Sequence, residues 1–463
     1  MGAAPSRSVL RWSALRDRVR SSLFVTPLLF VVGGFVLAEL MLAVDGRLDG
    51  VPQRLTATVD SARAVLTVVA SATLAFAGIA FSVSLLLVSA ASGQYSPRVV
   101  HGLFRDPANR RAMGVVMGTF TYSLVVLQAV RGPVGSGGEA VVPSAATMVA
   151  LVLGVVAILS TVAFISHSAH ALDVSEVLHR VTLEALSAVR AQVGALDPLA
   201  AGASSVPEAD DDEGHAVDFV RHGWVQQLDH ASLLAALPSG ARLVVTTAPG
   251  RYAVPGTPIG RVVPEPDDPE AVAEAVRDAV VLGPTRTLLQ DPTYGVRQLA
   301  DVALRALSPG VNDPTTAQDA LFHQAAVLRE LLVRPAPPRV LEDGDRSLVL
   351  SHAPTHREVV DLAFDEVRLA ATGQPTVLVY LLEILETLHD ALPEGSEEAR
   401  AALRLQAGLV LATGERGELP EPDRERVRIA YRDRFAESAP PAPASPSASA
   451  PGSSSSSRDL DPV

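Results

Sequence analysis

Apolar residues gather in four long runs over the first third of the chain, Leu23 to Val44, Ala64 to Ala91, Met113 to Val130 and Ala145 to Ile165. A bilayer core roughly 30 Å thick takes about 20 mostly apolar residues to cross as a helix, the conformation that satisfies every backbone amide internally. Each run is therefore read as a transmembrane helix. The first follows an arginine-bearing leader (residues 1–22), as a signal peptide would. It continues through Glu39, Leu40, Met41 and Leu42 without a small-residue cleavage site, whereas signal h-regions are only about 7–15 residues long, and a retained span is expected. In the third, Arg111 and Arg131 bracket about 19 uncharged residues, which again favours a span over a buried amphipathic helix.

Short loops rich in arginine stay on the cytoplasmic side. The leader carries Arg7, Arg11, Arg16, Arg18 and Arg20, and the loop after the second span carries Arg98, Arg105, Arg110 and Arg111. After the first span, Arg47, Arg54 and Arg63 are offset by Asp45, Asp49 and Asp60; after the third only Arg131 remains. Both termini are expected in the cytoplasm of a bacterial cell, beneath its inner membrane. Through Ser166 there are 13 arginines against 7 acids, and beyond it 25 against 44. That asymmetry fits an acidic cytosolic region hung below an anionic leaflet and argues against nucleic-acid binding.

Beyond the spans the pattern changes period. Residues 167–214 read as a helical extension, Ala171 to Val193, followed by an acidic linker ending in Glu208 to Glu213. Residues 215–268 alternate apolar and polar positions around Pro and Gly turns, with strand character at Val217 to Leu228, Ala241 to Thr247 and a hairpin from Gly250 to Val263, the mark of a small β-rich module. From 269 to 437 helical spacing recurs in seven segments: Pro269 to Leu282, Tyr294 to Leu307, Pro314 to Val333, His356 to Thr372, Thr376 to Leu392, Ser396 to Ala412 and Asp423 to Phe435. Residues 438–463, rich in Pro, Ala and Ser, cannot bury enough apolar area to order themselves. The expected fold class is an α-helical integral membrane protein, with four transmembrane helices, a cytosolic α+β region and a disordered C-terminal tail.

Composition removes several chemistries. There is no cysteine, so disulfides and thiolate ligands are excluded, and all 38 basic residues are arginine, which rules out lysine Schiff bases and P-loop nucleotide binding. Codon bias in a GC-rich genome accounts for the arginine. No nucleophile elbow, HExxH or glycine-rich phosphate loop is found, and neither catalytic residues nor a cofactor are assigned. His167, His170, Asp173 and His179 have spacing that would suit a metal, but no fourth ligand or supporting motif accompanies them, and they are read as solvated helix-end residues.

The densest stretch runs from Gln290 to Ala317. On a helix Val296, Leu299, Ala300, Ala303, Leu304 and Leu307 share an apolar face, while Arg297, Asp301 and Arg305 stack four apart on another. Ser308-Pro309-Gly310 stops that helix and Asp313-Pro314 starts the next, as N-cap and first-turn proline. Two readings stand. In one, Arg286, Arg297 and Arg305 form a cationic pocket in which Gln298, Asn312 and Asp313 orient an anionic ligand or a neighbouring subunit. In the other, Asp301 pairs with its flanking arginines and Asp313 merely caps a helix.

With Arg286-Thr287, this stretch resembles the signature of an uncharacterised bacterial membrane-protein family, the domain of unknown function numbered twenty-two fifty-four. Phe81-Ser82, Gln94 to Arg98, Thr119-Phe120, Tyr122, His167, Gly223 to Gln226 and the Gly250 to Pro258 hairpin resemble its pattern too. Trp224 stands where the family usually has another aromatic, and Arg251 where an acid is common. The family lends no established activity.

Within the spans, Ser71, Ala75, Gly78, Ser82 and Ser89 lie within about 60° of one another on the second helix, a stripe suited to close helix packing or to lining a wet path. That run is long, about 28 residues or about 42 Å. Glu39 is an acid inside the first span, either part of an ion route or reaching the interface. The function expected is a non-enzymatic, oligomeric, channel-like or transport-related protein, whose partners are the lipid bilayer, further copies of itself and a small anionic ligand or cytosolic protein. The alternatives are a membrane-anchored enzyme with its site around residues 286–316, or a scaffold or assembly factor.

Overall fold

A computed structural model describes residues 25–47, 58–94, 107–132, 142–170, 173–196, 200–201, 214–334, 338–352 and 354–435. The arginine-rich leader, the loop with Arg98 and Arg105, the acid run 208–213 and the tail 438–463 lie outside the described residues.

Helices α1 (Val25–Asp45), α2 (Val59–Gln94), α3 (Pro107–Ala129) and α4 (Ser144–His170) are each long and apolar enough to cross a membrane. Helix α3 packs against all three others, and α2 lies along both α3 and α4. The outward face is apolar: Leu28, Leu29, Val32 and Phe35 of α1, and Leu85 and Leu86 of α2, are all exposed. Left in water, each would forgo about 1.5–3 kcal/mol of burial, a deficit that lipid removes.

One end of the bundle is tied by polar groups. The Asp45 carboxylate accepts from the amides of Ala145 (3.0 Å) and Ala146 (2.9 Å), capping α4 from the end of α1. Tyr122, fully buried, donates to the Ala146 carbonyl at 2.9 Å, and Arg63 donates to Val130 O at 3.3 Å. In the sequence Asp45 reads as a counter-charge to loop arginines; in the fold it is the cap of a helix 100 residues away. The close helix approaches in this bundle belong to Gly34 and Gly118. A methyl group on either would collide with backbone of the facing helix, whereas one on Gly78 of the α2 stripe would meet nothing within 4 Å.

The C-terminal region has two cores. One is an α/β module with two sheets, ordered β1-β8-β9-β4-β6-β2 and β5-β3-β7, from strands β1 (Ala200–Ala201), β2 (His215–Asp218), β3 (Gly223–Leu228), β4 (Arg242–Val245), β5 (Tyr252–Ala253), β6 (Pro258–Val263), β7 (Val280–Gly283), β8 (Val340–Asp343) and β9 (Arg346–Leu350). Helices α6 (His230–Ala236) and α7 (Pro269–Asp278) bury Leu233, Leu234, Ala273 and Val276 in the same core as Val225, Leu243 and Leu348. The sheets thus reach beyond the 215–268 segment that alternation marks out. The spacing predicts a helix through Leu282, because Val280-Val281-Leu282 extends the apolar run of α7; in the fold Ala279 closes that helix and Val280–Gly283 forms β7. β9 joins through parallel pairing with β4, Leu243 opposite Leu348, about 100 residues apart in sequence.

The other core is helical: α5 (Val174–Leu196), α8 (Thr293–Ala306), α9 (Pro314–Leu332), α10 (His356–Ala370), α11 (Pro375–Asp390), α12 (Glu397–Arg416) and α13 (Glu421–Phe435). Helix α5 follows α4 directly in sequence. It buries Val177, Leu178, Val181 and Ala185 against α8 and α9, which makes it a wall of this domain and more than an extension of the fourth span.

Candidate functional site

The Gln290–Ala317 stretch divides into a joint, a buried helix and an elbow. The joint comes first. Gln290 brackets the backbone of Leu228, its Nε2 donating to the carbonyl (3.0 Å) and its Oε1 accepting from the amide (2.8 Å). Gln226 on the same strand donates to Thr285 O at 2.7 Å. Asp291, 5% exposed, accepts from Arg286 Nε (2.6 Å) and from Thr293 Oγ1 (2.6 Å), while the Arg286 guanidinium lies 4.9 Å from the Tyr294 ring centre. The Gly250 turn, at φ +85°, presses on this pair so closely that a side chain there would strike Asp291. Its amide donates to Val225 O at 2.8 Å, which fixes the hairpin on β3. At the third residue of α8, Gly295 faces Ala185 of α5, with no room for a methyl group between them. Residues 285–295 therefore join the α/β module, α5 and the helical domain.

Along α8 the apolar face is as the spacing predicts, but the polar face is also covered: Gln298 and Asp301 are buried. Arg297 donates to both oxygens of Glu366 on α10 (2.5 and 2.9 Å) and, through Nε, to Asp301 at 2.9 Å. The hydrogen bond to Glu366 leads in pushing the Arg297 pKa up. Arg305, in the last turn, is exposed.

At the elbow, Asn312 adopts φ +48° and its Oδ1 accepts from Gln374 at 2.7 Å. Asp313 caps α9 as the sequence predicts, accepting from Thr316 N (3.1 Å) and Thr316 Oγ1 (2.6 Å); the latter bond leads in holding its carboxyl below the ordinary value. From Thr293 to Arg305 α8 rises about 18 Å, so Arg286 and Asp313 stand at opposite ends of the helix. The seven polar residues singled out from sequence are strung along α8 and its two ends; they do not ring one cleft. Glu366, Gln290, Asp291 and Gly250 complete this network. The Gln290-Asp291 pair lies inside the motif, whereas nothing near Glu366 in sequence points to Arg297.

In the membrane helices, Ser71, Ala75, Gly78, Ser82 and Ser89 all face outward, as does Glu39. Ser82 Oγ donates to Gly78 O at 3.0 Å. Among the histidine set, Asp173 accepts from Ser175 N at 2.9 Å at the start of α5. Among the described residues, no group of three His, Asp or Glu is placed to hold a metal ion. The two family departures touch other residues: Trp224 packs edge-on to Tyr252 with centroids 5.4 Å apart, and Arg251 Nη2 lies 3.4 Å from His352 Nδ1.

No solved structure matches the chain. An uncharacterised protein of Mycobacterium tuberculosis is 29% identical over 433 residues, covering 90% of this chain and 81% of the relative. One from Mycobacterium bovis is related at the same 29% identity and coverage. A family profile described as predicted membrane protein (DUF2254) matches residues 20–387, the spans, the joint and most of the helical domain. The chain belongs to that family of membrane proteins.

Proposed function

We propose that this is a non-enzymatic, oligomeric protein of the bacterial inner membrane with both termini in the cytoplasm. Its spans form a channel-like or transport-related body, and its cytosolic region senses a ligand or binds a partner. The observation that carries the reading is the outward placement of the α2 stripe together with Glu39. A carboxylate facing lipid is costly and a face of small residues leaves room beside it, so a neighbouring copy or a wet path relieves the cost. The α5–α8 contact at Gly295 supports a sensing role, because it ties the helix that follows the fourth span to the domain that would meet the ligand.

The enzyme reading is less well supported: Arg286, Arg297 and Asp313 are each engaged by protein partners, and they are spread along α8. The test is the mass of the protein in lipid nanodiscs, followed by planar-bilayer recording. A ring that conducts ions supports the proposal; a monomer whose α2 stripe contacts only lipid overturns it. Orientation is checked separately. The cysteine-free chain allows a single cysteine at Gly132 to be labelled from outside the cell, as the orientation predicts.

A further inference from the structure

We propose that the crevice between α2, α3 and α4 at the arginine-bearing end of the bundle is a binding site for an anionic phospholipid. It is lined by Ala77 and Ala80 of α2, Ala112 and Val116 of α3, and Thr161 and Phe164 of α4, and is a shallow groove of about 30 Å³, open on one side, along which an acyl chain would lie against the helices. Small side chains on α2 and α3 create the room, and Met117, 40% exposed, stands on the same face of α3. The lining is almost wholly apolar, which suits an acyl chain and excludes a free phosphate ion as occupant of the crevice itself.

One helical turn further toward the same end the chemistry changes. On α3 the crevice face continues into Asn109 and Arg110, with exposed Arg111 beside them; on α4 it continues into His167 and Ser168. Ser168 is 1% exposed and its Oγ has no hydrogen-bond partner, and neither does the buried Asn109 Oδ1. Unpaired buried polar groups are rare in native structures and point to a missing ligand or water. A glycerophosphate headgroup fits this pattern, its phosphate set beside the arginines and its glycerol at the end of the crevice that Asn109 and Ser168 flank. Basic pockets between membrane helices bind acidic headgroups in this manner. The leaflet concerned, the cytoplasmic one, rests on the orientation proposed above, but binding itself does not.

The test is native mass spectrometry of the full chain in detergent, titrated in parallel with phosphatidylglycerol, phosphatidylcholine and inorganic phosphate. The expected result is phosphatidylglycerol binding roughly tenfold or more tighter than phosphatidylcholine, with no competition from phosphate at equal concentration. Arg111→Gln should reduce that preference and Arg110→Gln with Arg111→Gln should abolish it, while Met117→Trp, which fills the crevice mouth, should weaken both lipids. Equal affinity for the two lipids in the wild-type protein, a preference that survives in the arginine variants, or full competition by phosphate would overturn the site. The cysteine-labelling result then decides the leaflet independently. If the double variant does not fold, Arg111→Gln and Met117→Trp still decide the outcome.

Discussion

The carboxyl of Asp313 shows how a residue that looks chemically suggestive earns its place structurally. Its two oxygens are taken by the Thr316 amide and hydroxyl, so Asp313→Ala should cost about 1 kcal/mol, the usual worth of such a cap. Because its folded pKa lies below the ordinary 3.8, its stabilisation is complete above that value and is lost as the pH falls through the lowered one. Thermal melts of wild type and variant should therefore differ at pH 7 and converge in strong acid; a gap unchanged with pH would show that the carboxylate charge does not matter. Gly295 makes the opposite kind of demand, for space. Gly295→Ala should destabilise the helical domain by about 1–3 kcal/mol, since the new methyl meets Ala185. Adding Ala185→Gly should recover part of the loss, a coupling that chemical denaturation of the four proteins can measure.

At the scale of elements, legibility in the sequence depended on how local the determining interaction was. Helix α9, expected over Pro314 to Val333, runs from Pro314 to Leu332, because cap, first-turn proline and apolar spacing all lie within it. Strands β7 to β9 were not legible. β9 is defined by its pairing with β4, and β7 by pairing with β3, partners far away in sequence. The joint was half legible: its dense motif stood out, but Leu228, Gly250 and Ala185, which give Gln290, Asp291 and Gly295 their purpose, lie more than 40 residues upstream. Gln290→Ala should leave the Leu228 amide and carbonyl without their side-chain partner, at a cost of about 1–3 kcal/mol. Hydrogen–deuterium exchange should accelerate in β3 and at the start of α8 while the α12–α13 pair stays protected. Uniform acceleration across the helical domain would mean that the joint is no separate unit.

For the whole molecule, the unanswered demand is the outward face of α2. Its centre is small and polar while Leu74, Phe81, Leu85 and Leu86 rise beside it, so the helix presents a groove with ridges, the relief that lets a second membrane helix approach closely. Among the described residues nothing fills it; the tight crossings are spent at Gly34 and Gly118, where α1 meets α3. If copies of this chain meet there, bulk should separate them without unfolding either. Ser71→Leu, Gly78→Leu and Ser82→Leu together add apolar volume to a surface that lipid tolerates, so the folded bundle, with its Asp45 cap and Tyr122 bond on other helices, should survive with an unchanged helical content by circular dichroism. The assembly should fall toward monomer in nanodisc mass photometry, and any conductance should vanish with it. An intact oligomer in the triple variant would place the subunit contact on another helix and leave the stripe facing lipid, and the argument from α2 to a shared path through the membrane would fail with it.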